Sequence, residues 1–377
     1  MNGVSSRDIR ERNVLAVMQA VRRGGTPSRG ELAAATGLDR STLTHITGAL
    51  LDAGLIEVSE RAPASSRGGR RAELLRLSRR RYAVAGCDIR SGGARWVLMS
   101  LDGTPIDHGT VGPSMPTASL SARSAWLEGV LDDVRSAIAE SATHHQPAPS
   151  VVGTGMALPA LVDRTQQTLV ESFELGLKRV DLHAAWRSAD HPVLFDNDAS
   201  CYTWREIATQ GPSTDGIYAY TKFHRDGPRF TDTGLGVGVM VVTGGRIRRG
   251  AHGSAGELRG YAWAPGRNQL GVAMEELRKD QGEEAAVMAA SRELVRNLTV
   301  LASVLDPSRV VIAGDLCSHE AALTAALTAD GDQLRNLVEL RPPSPLELAE
   351  GAGWMVAEQL FAEVSPDPRL SFSELLG

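Results

Sequence analysis

Cysteine is nearly absent from this chain of 377 residues. Its three copies, Cys87, Cys201 and Cys317, are far apart and form no CxxC pair. That excludes a disulfide framework and a zinc knuckle, and it suits a reducing cytosol. No apolar run approaches the roughly 20 residues needed to span a bilayer. The opening residues, MNGVSSRDIRER, lack the apolar stretch of a signal peptide. A cytoplasmic location with no membrane partner is therefore expected. Lysine is missing from residues 1–81, which carry 15 arginines against 8 acids, a net +7. The whole chain is −5, so the remainder is −12. A basic head on an acidic body is the distribution of a nucleic-acid-binding domain joined to something else. With 42% hydrophobic and 23% charged residues the chain is an ordinary globular one, long enough for two or three compact units.

The head reads as three helices. Ile9, Val14, Leu15, Val17, Met18 and Val21 fall at helical spacing, and Gly24-Gly25 stops the run. Ser28 and Glu31 form a capping box that starts a second helix, with Gly37 at its end. The third, about residues 40–53, buries Leu43, Ile46, Leu50 and Leu51 and turns Arg40, Ser41, Thr42, Thr44 and His45 outward. Short donors and acceptors near a helix N-terminus suit the DNA major groove. Two strand-like runs then flank a stretch rich in arginine, serine and glycine. This reads as a wing whose Arg67, Arg70 and Arg71 reach phosphates or a narrow minor groove.

The body holds several ordered segments. Residues 83–89 and 96–101 read as a strand pair opening on Asp88 and closing at Asp102-Gly103. VVGTGMALPALVD is a strand entering a loop with Pro159 and Asp163. VLFDNDASCYTWRE is a strand ending at Asp196-Asn197-Asp198, followed by a helix. Carboxylate and amide at such a junction suit paired hydrogen bonds to vicinal hydroxyls, and Asp196 or Asp198 could also cap the helix. TDTGLGVGVMVVTGGRIRRGAHGSAGELRG carries alternate glycines, a Gly244-Gly245 hairpin turn and a closing acid, Glu257. His252 lies within it.

In this order the segments resemble the ROK family of repressors and sugar kinases, over about residues 8–364. The resemblance implies an α/β chain: a winged helix-turn-helix joined to a two-lobed, actin-like (ribonuclease H-like) ATPase-type fold. It implies sugar contacts at Pro159, Asn197, Asp198 and Glu257, with Asp198 as general base in a kinase. Four departures stand out. The wing tripeptide is Gly69-Arg70-Arg71, without the usual proline. The phosphate hairpin has Arg90, Ser91 and Gly92 where the kinases have Gly, Gly and Thr. Ala160 replaces a glycine, and Gly260 replaces the histidine that contacts sugar and zinc. The segment after Gly260 lacks the cysteines of the family's zinc motif, so no metal and no cofactor is expected.

The expected layout is a DNA-binding head over residues 1–80 and an effector-binding, dimerising body over 81–377. One lobe covers about 81–195 plus the C-terminal helix, and the other about 196–345. The expected function is a transcriptional regulator, a repressor by family habit, that binds double-stranded operator DNA and a carbohydrate effector as a homodimer or homotetramer. The alternative is a sugar kinase with an accessory DNA-binding head, in which Asp198 is catalytic. A third is a regulator that has lost sugar binding.

Overall fold

The computed structural model describes residues 6–61, 72–117, 119–186, 191–210, 215–223, 234–251, 253–264, 268–362, 367 and 369–376. Arg67, Arg70, Arg71 and His252, singled out in the sequence, lie outside the described residues.

The head comprises α1 (Ser6–Gly24), α2 (Arg29–Thr36) and α3 (Arg40–Asp52), then the antiparallel strands β1 (Ile56–Arg61) and β2 (Glu73–Leu77). Both ends of α2 follow from local chemistry. Ser28 and Glu31 make the reciprocal capping box, and Gly37 ends the helix in the left-handed region at φ 69°. The Asp39 side chain accepts from the backbone of Ser41 and Thr42 and starts α3. Val17, Met18, Val21, Leu32 and Leu50 are fully buried between the helices.

Two five-stranded sheets form the body. In the first, β3 (Tyr82–Arg90), β4 (Gly93–Ser100) and β5 (Pro105–Val111) run antiparallel. The helix α4 (Leu120–Thr143) covers their outer face, and β6 (Ser150–Leu158) pairs parallel with β3. A small sheet of β7 (Leu161–Asp163), β8 (Thr168–Ser172) and β9 (Leu177–Asp181) follows, then α5 (Leu182–Trp186) and β10 (Val193–Asn197). The order across the sheet is β10-β6-β3-β4-β5. After α6 (Asp198–Gln210) come β11 (Gly216–Phe223), β12 (Leu235–Thr243) and β13 (Arg246–Ile247). Then follow α7 (Met274–Gln281), α8 (Glu283–Leu305), β14 (Val310–Gly314), α9 (Glu320–Asp330) and β15 (Val338–Arg341). The second sheet runs β13-β12-β11-β14-β15, with α8 and α9 on its outer face.

The C-terminal helix α10 runs from Glu347 to Leu360, and a separate short helix, α11 (Phe372–Leu376), follows. Together α6 and α10 lie between the sheets. The fit is tight enough to require glycine. A Cβ on Gly86 of β3 would stand 1.9 Å from the Ala349 carbonyl oxygen, and one on Gly351 of α10 2.0 Å from that of Cys201. At its far end α10 meets the head. Gln19 donates to the Phe361 carbonyl at 2.7 Å, and Arg22 pairs with Glu358. One buried apolar cluster therefore runs from the head helices through α10 into both sheets.

Candidate functional site

The recognition helix α3 presents Arg40, Ser41, Thr44 and His45 to solvent. Two of the predicted contacts are less free than the sequence suggested. Thr42 is half-buried and its hydroxyl donates to Asp39 at 2.6 Å, because the residue three after an N-cap lies within reach of the capping carboxylate. The Thr44 hydroxyl donates to the Arg40 carbonyl at 2.7 Å.

In the body, the strand–helix junction at β10–α6 reverses one sequence expectation. Asn197 shares the cap with Asp198: its Oδ1 accepts from the N–H groups of Ala199 (2.9 Å) and Ser200 (3.4 Å), Asp198 Oδ1 accepts from the same Ala199 N–H at 2.9 Å, and Asn197 Nδ2 donates to the Ala160 carbonyl at 3.1 Å. The amide is thus mostly engaged by the protein. Asp196 does not cap α6. It is 2% exposed and receives both ends of the Arg249 guanidinium, at 3.0 and 2.6 Å, with Arg164 at 3.6 Å. Alternation along a strand puts Asp196 and Asn197 on opposite faces, so only one of them can reach the helix N-terminus.

Gly238 of β12 brings these pieces together. A Cβ there would meet the Ala199 side chain at 2.4 Å and Asn197 Oδ1 at 3.9 Å, while its backbone bridges to Glu257. Pro159, whose carbonyl accepts from Ser172 at 2.7 Å, adjoins the Ala160 held by Asn197. The four predicted residues Pro159, Asn197, Asp198 and Glu257 therefore lie near one another around Gly238 and Ala160. Glu257 is exposed. Asp198 is half-buried, and its carboxyl is pushed up to about 6. Burial is the main cause; Lys222 opposes it, and the negative charges of Glu174 and Asp88 add to it.

The cleft also holds ionisable groups that sequence reasoning did not single out. Arg90 pairs with Asp88, which is 1% exposed. Burial works against the Arg90 charge, but Asp88 and Tyr220 outweigh it and hold the guanidinium above its usual range. Ser91 N–H donates to Glu174 at 3.1 Å, and Lys222 of β11 faces the same carboxylate at 2.7 Å. Glu347, at the start of α10, accepts from the Tyr220 hydroxyl at 3.0 Å, and burial pushes its carboxyl up to about 7. Lys222 had a signal: a lone cation in the apolar strand GIYAYTKF. Glu174 had none, since only the folded β8–β9 turn carries it to Ser91.

These residues do not fit a nucleotide. At the hairpin tip, the backbone N–H of Ser91 is already spent on Glu174, and the Arg90 side chain fills the place of a bare glycine. They do not fit the family's zinc either. Gly260 is buried, and a side chain there would begin 3.1 Å from Asn297 Nδ2 and 3.2 Å from the Leu270 carbonyl oxygen.

Comparison with known proteins agrees with both parts. Residues 123–262 match the ROK family, and residues 12–60 match the IclR helix-turn-helix domain. The uncharacterized protein y4fQ of Sinorhizobium fredii is 26% identical over 341 residues, covering 85% of this chain and 79% of that protein. The xylose repressor of Bacillus subtilis is 21% identical over 257 residues, covering 66% of this chain and 60% of the repressor. Among solved structures, a ROK family transcriptional regulator described as a homolog of the E. coli MLC protein superimposes with a TM-score of 0.72 at 16% identity. The match covers 98% of this chain and 99% of that one. A ROK family glucokinase from Streptomyces griseus gives a TM-score of 0.52 at 16% identity and covers 72% of this chain and 98% of its own. At these identities the structural matches speak for the fold: the regulator has counterparts to head and body. The two family matches give the chain a ROK family domain in its body and an IclR-type helix-turn-helix in its head.

Proposed function

We propose that the chain is a DNA-binding transcriptional regulator, of repressor type, whose ROK body senses a carbohydrate without phosphorylating it. The observation that carries this reading is the hairpin tip. Arg90 pairs with Asp88, and the Ser91 N–H donates to Glu174, where a kinase needs open backbone for phosphates. Relatives named xylose repressor support a regulatory role, and xylose is the first sugar to try. Head and body share one apolar cluster, so a change in cleft closure has a route to α3. A coupling of about 1–3 kcal/mol is enough to switch DNA occupancy. A two-fold dimer would present two recognition helices to an inverted repeat. The test is fluorescence anisotropy on DNA upstream of the chain's own gene, with pentoses, hexoses and amino sugars added in turn. Absence of any DNA binding would sink the reading.

The kinase alternative has one observation in its favour. A carboxyl with its pKa near 6 is well placed to act as a base close to neutrality. A coupled ADP-release assay over the same sugars separates the two. Turnover that disappears in Asp198→Asn would establish the kinase.

A further inference from the structure

The Ser91 N–H is met at 3.1 Å by a carboxylate of the chain itself, Glu174 Oε1. The other oxygen of that carboxylate lies 2.7 Å from Lys222 Nζ. Ser91 and Glu174 belong to the first sheet and its appended hairpin, whereas Lys222 is on β11 of the second. The pair thus ties the two sheets across the cleft. Both residues are at least nine-tenths buried, at 8% and 9% exposed. Yet Nζ makes no aligned hydrogen bond, so the contact is an ion pair only.

A buried pair held by an ion contact without an aligned hydrogen bond is weak as a stability device, and a registry role is the best-attested use of such pairs. The surroundings are those of an anion site. A backbone N–H and an ammonium converge on one carboxylate, and the Arg90 guanidinium, paired with Asp88, stands at the adjoining position. The turn that delivers Glu174 is firmly placed. The Ser172 hydroxyl accepts from Leu175 N–H and donates to the Pro159 carbonyl, and Gly176 lies tight against Arg123.

We propose that Ser91 N–H and Lys222 form an anion-binding niche between the two sheets. Glu174 fills it as a resident anion, latching the cleft and shutting out phosphates. The niche is of phosphate type, so removing the carboxylate opens it to a soluble oxyanion. This goes beyond the regulator reading and does not depend on DNA binding.

Pyrophosphate titrated calorimetrically into the full chain tests the niche. The unmodified chain is expected to give no binding. Glu174→Ala is expected to bind and to melt higher in its presence. Adding Lys222→Met to that variant is expected to weaken binding at least about tenfold. If Glu174→Ala binds no better than the unmodified chain, or if the double variant binds equally well, the niche is not an anion site. Should the Glu174 variants not fold, amide hydrogen exchange at Ser91 decides. Lys222→Met, which leaves the carboxylate in place without its ion pair to the second sheet, is expected to speed exchange there about tenfold or more. Equal exchange in both chains overturns the latch. Operator binding measured on the same samples keeps the two ideas apart: its absence from the unmodified chain counts against the regulator reading and leaves the niche result standing.

Discussion

The Arg22 guanidinium, in the first helix of the head, lies 4.6 Å from the centre of the Phe361 ring at the end of α10. The same guanidinium sits 5.4 Å from the Trp354 ring centre and pairs with Glu358. Three partners on one helix make this side chain the polar half of the head–body joint. Arg22→Ala is expected to cost about 1–2 kcal/mol, the sum of a partly buried cation–π contact and a half-exposed ion pair. It should also blunt the response of DNA binding to sugar. Urea unfolding followed by circular dichroism, beside anisotropy with and without effector, measures both. A variant with full sugar response would remove this joint from the coupling.

Acid is expected to stabilise the body across a defined window. Asp198 and Glu347 have folded pKa values of about 6 and about 7, above their ordinary 3.8 and 4.5. The folded state therefore holds protons that the unfolded state releases, and stability falls as pH rises from about 4.5 to 7. The slope is up to about 1.4 kcal/mol per pH unit for each group. Carboxylates held low, such as Asp102 and Asp107, work the other way only below about pH 4. Melting midpoints between pH 5 and pH 7 should therefore decline for the unmodified chain, and Glu347→Gln should flatten the decline. A rise across that window would contradict the account.

Gly86→Ala tests the seating of α10. Its methyl would be placed 1.9 Å from the Ala349 carbonyl oxygen, so the helix must shift off β3. A loss of about 3 kcal/mol or more is expected, at the upper end for overpacking, because backbone and not a side chain must give way. A thermal melt reads it; a change below about 1 kcal/mol would mean that α10 is not held there.

Contacts in the head should separate by kind. Asp39→Ala removes the cap of α3 and is expected to weaken operator binding several-fold, while Asp39→Asn, which also caps, keeps most of it. Arg70→Ala and Arg71→Ala should each lower the salt slope of binding by about one, the mark of a lost phosphate contact. His45→Ala should change sequence preference instead. A salt slope unaltered in the arginine variants would take the wing out of the interface.

Local chemistry wrote much of this in the sequence. The Ser28–Glu31 box, the Gly37 stop and the Gly244-Gly245 turn are decided by residues within a few positions, so pattern alone placed them. The departure of the hairpin tip from the kinase pattern was equally readable, since Arg90 stands in a register fixed by Asp88 and Asp102. Tertiary contacts decided the rest. Asn197 became a cap and Asp196 an arginine partner because strand alternation and the Arg249 loop split them to opposite faces. Glu174, Lys222 and Glu347 reach the cleft from a hairpin turn, a strand and a helix far apart in the chain. No local spacing could announce them. Buried charges choose partners by distance in space, and that distance exists only once the two sheets have closed around α6 and α10.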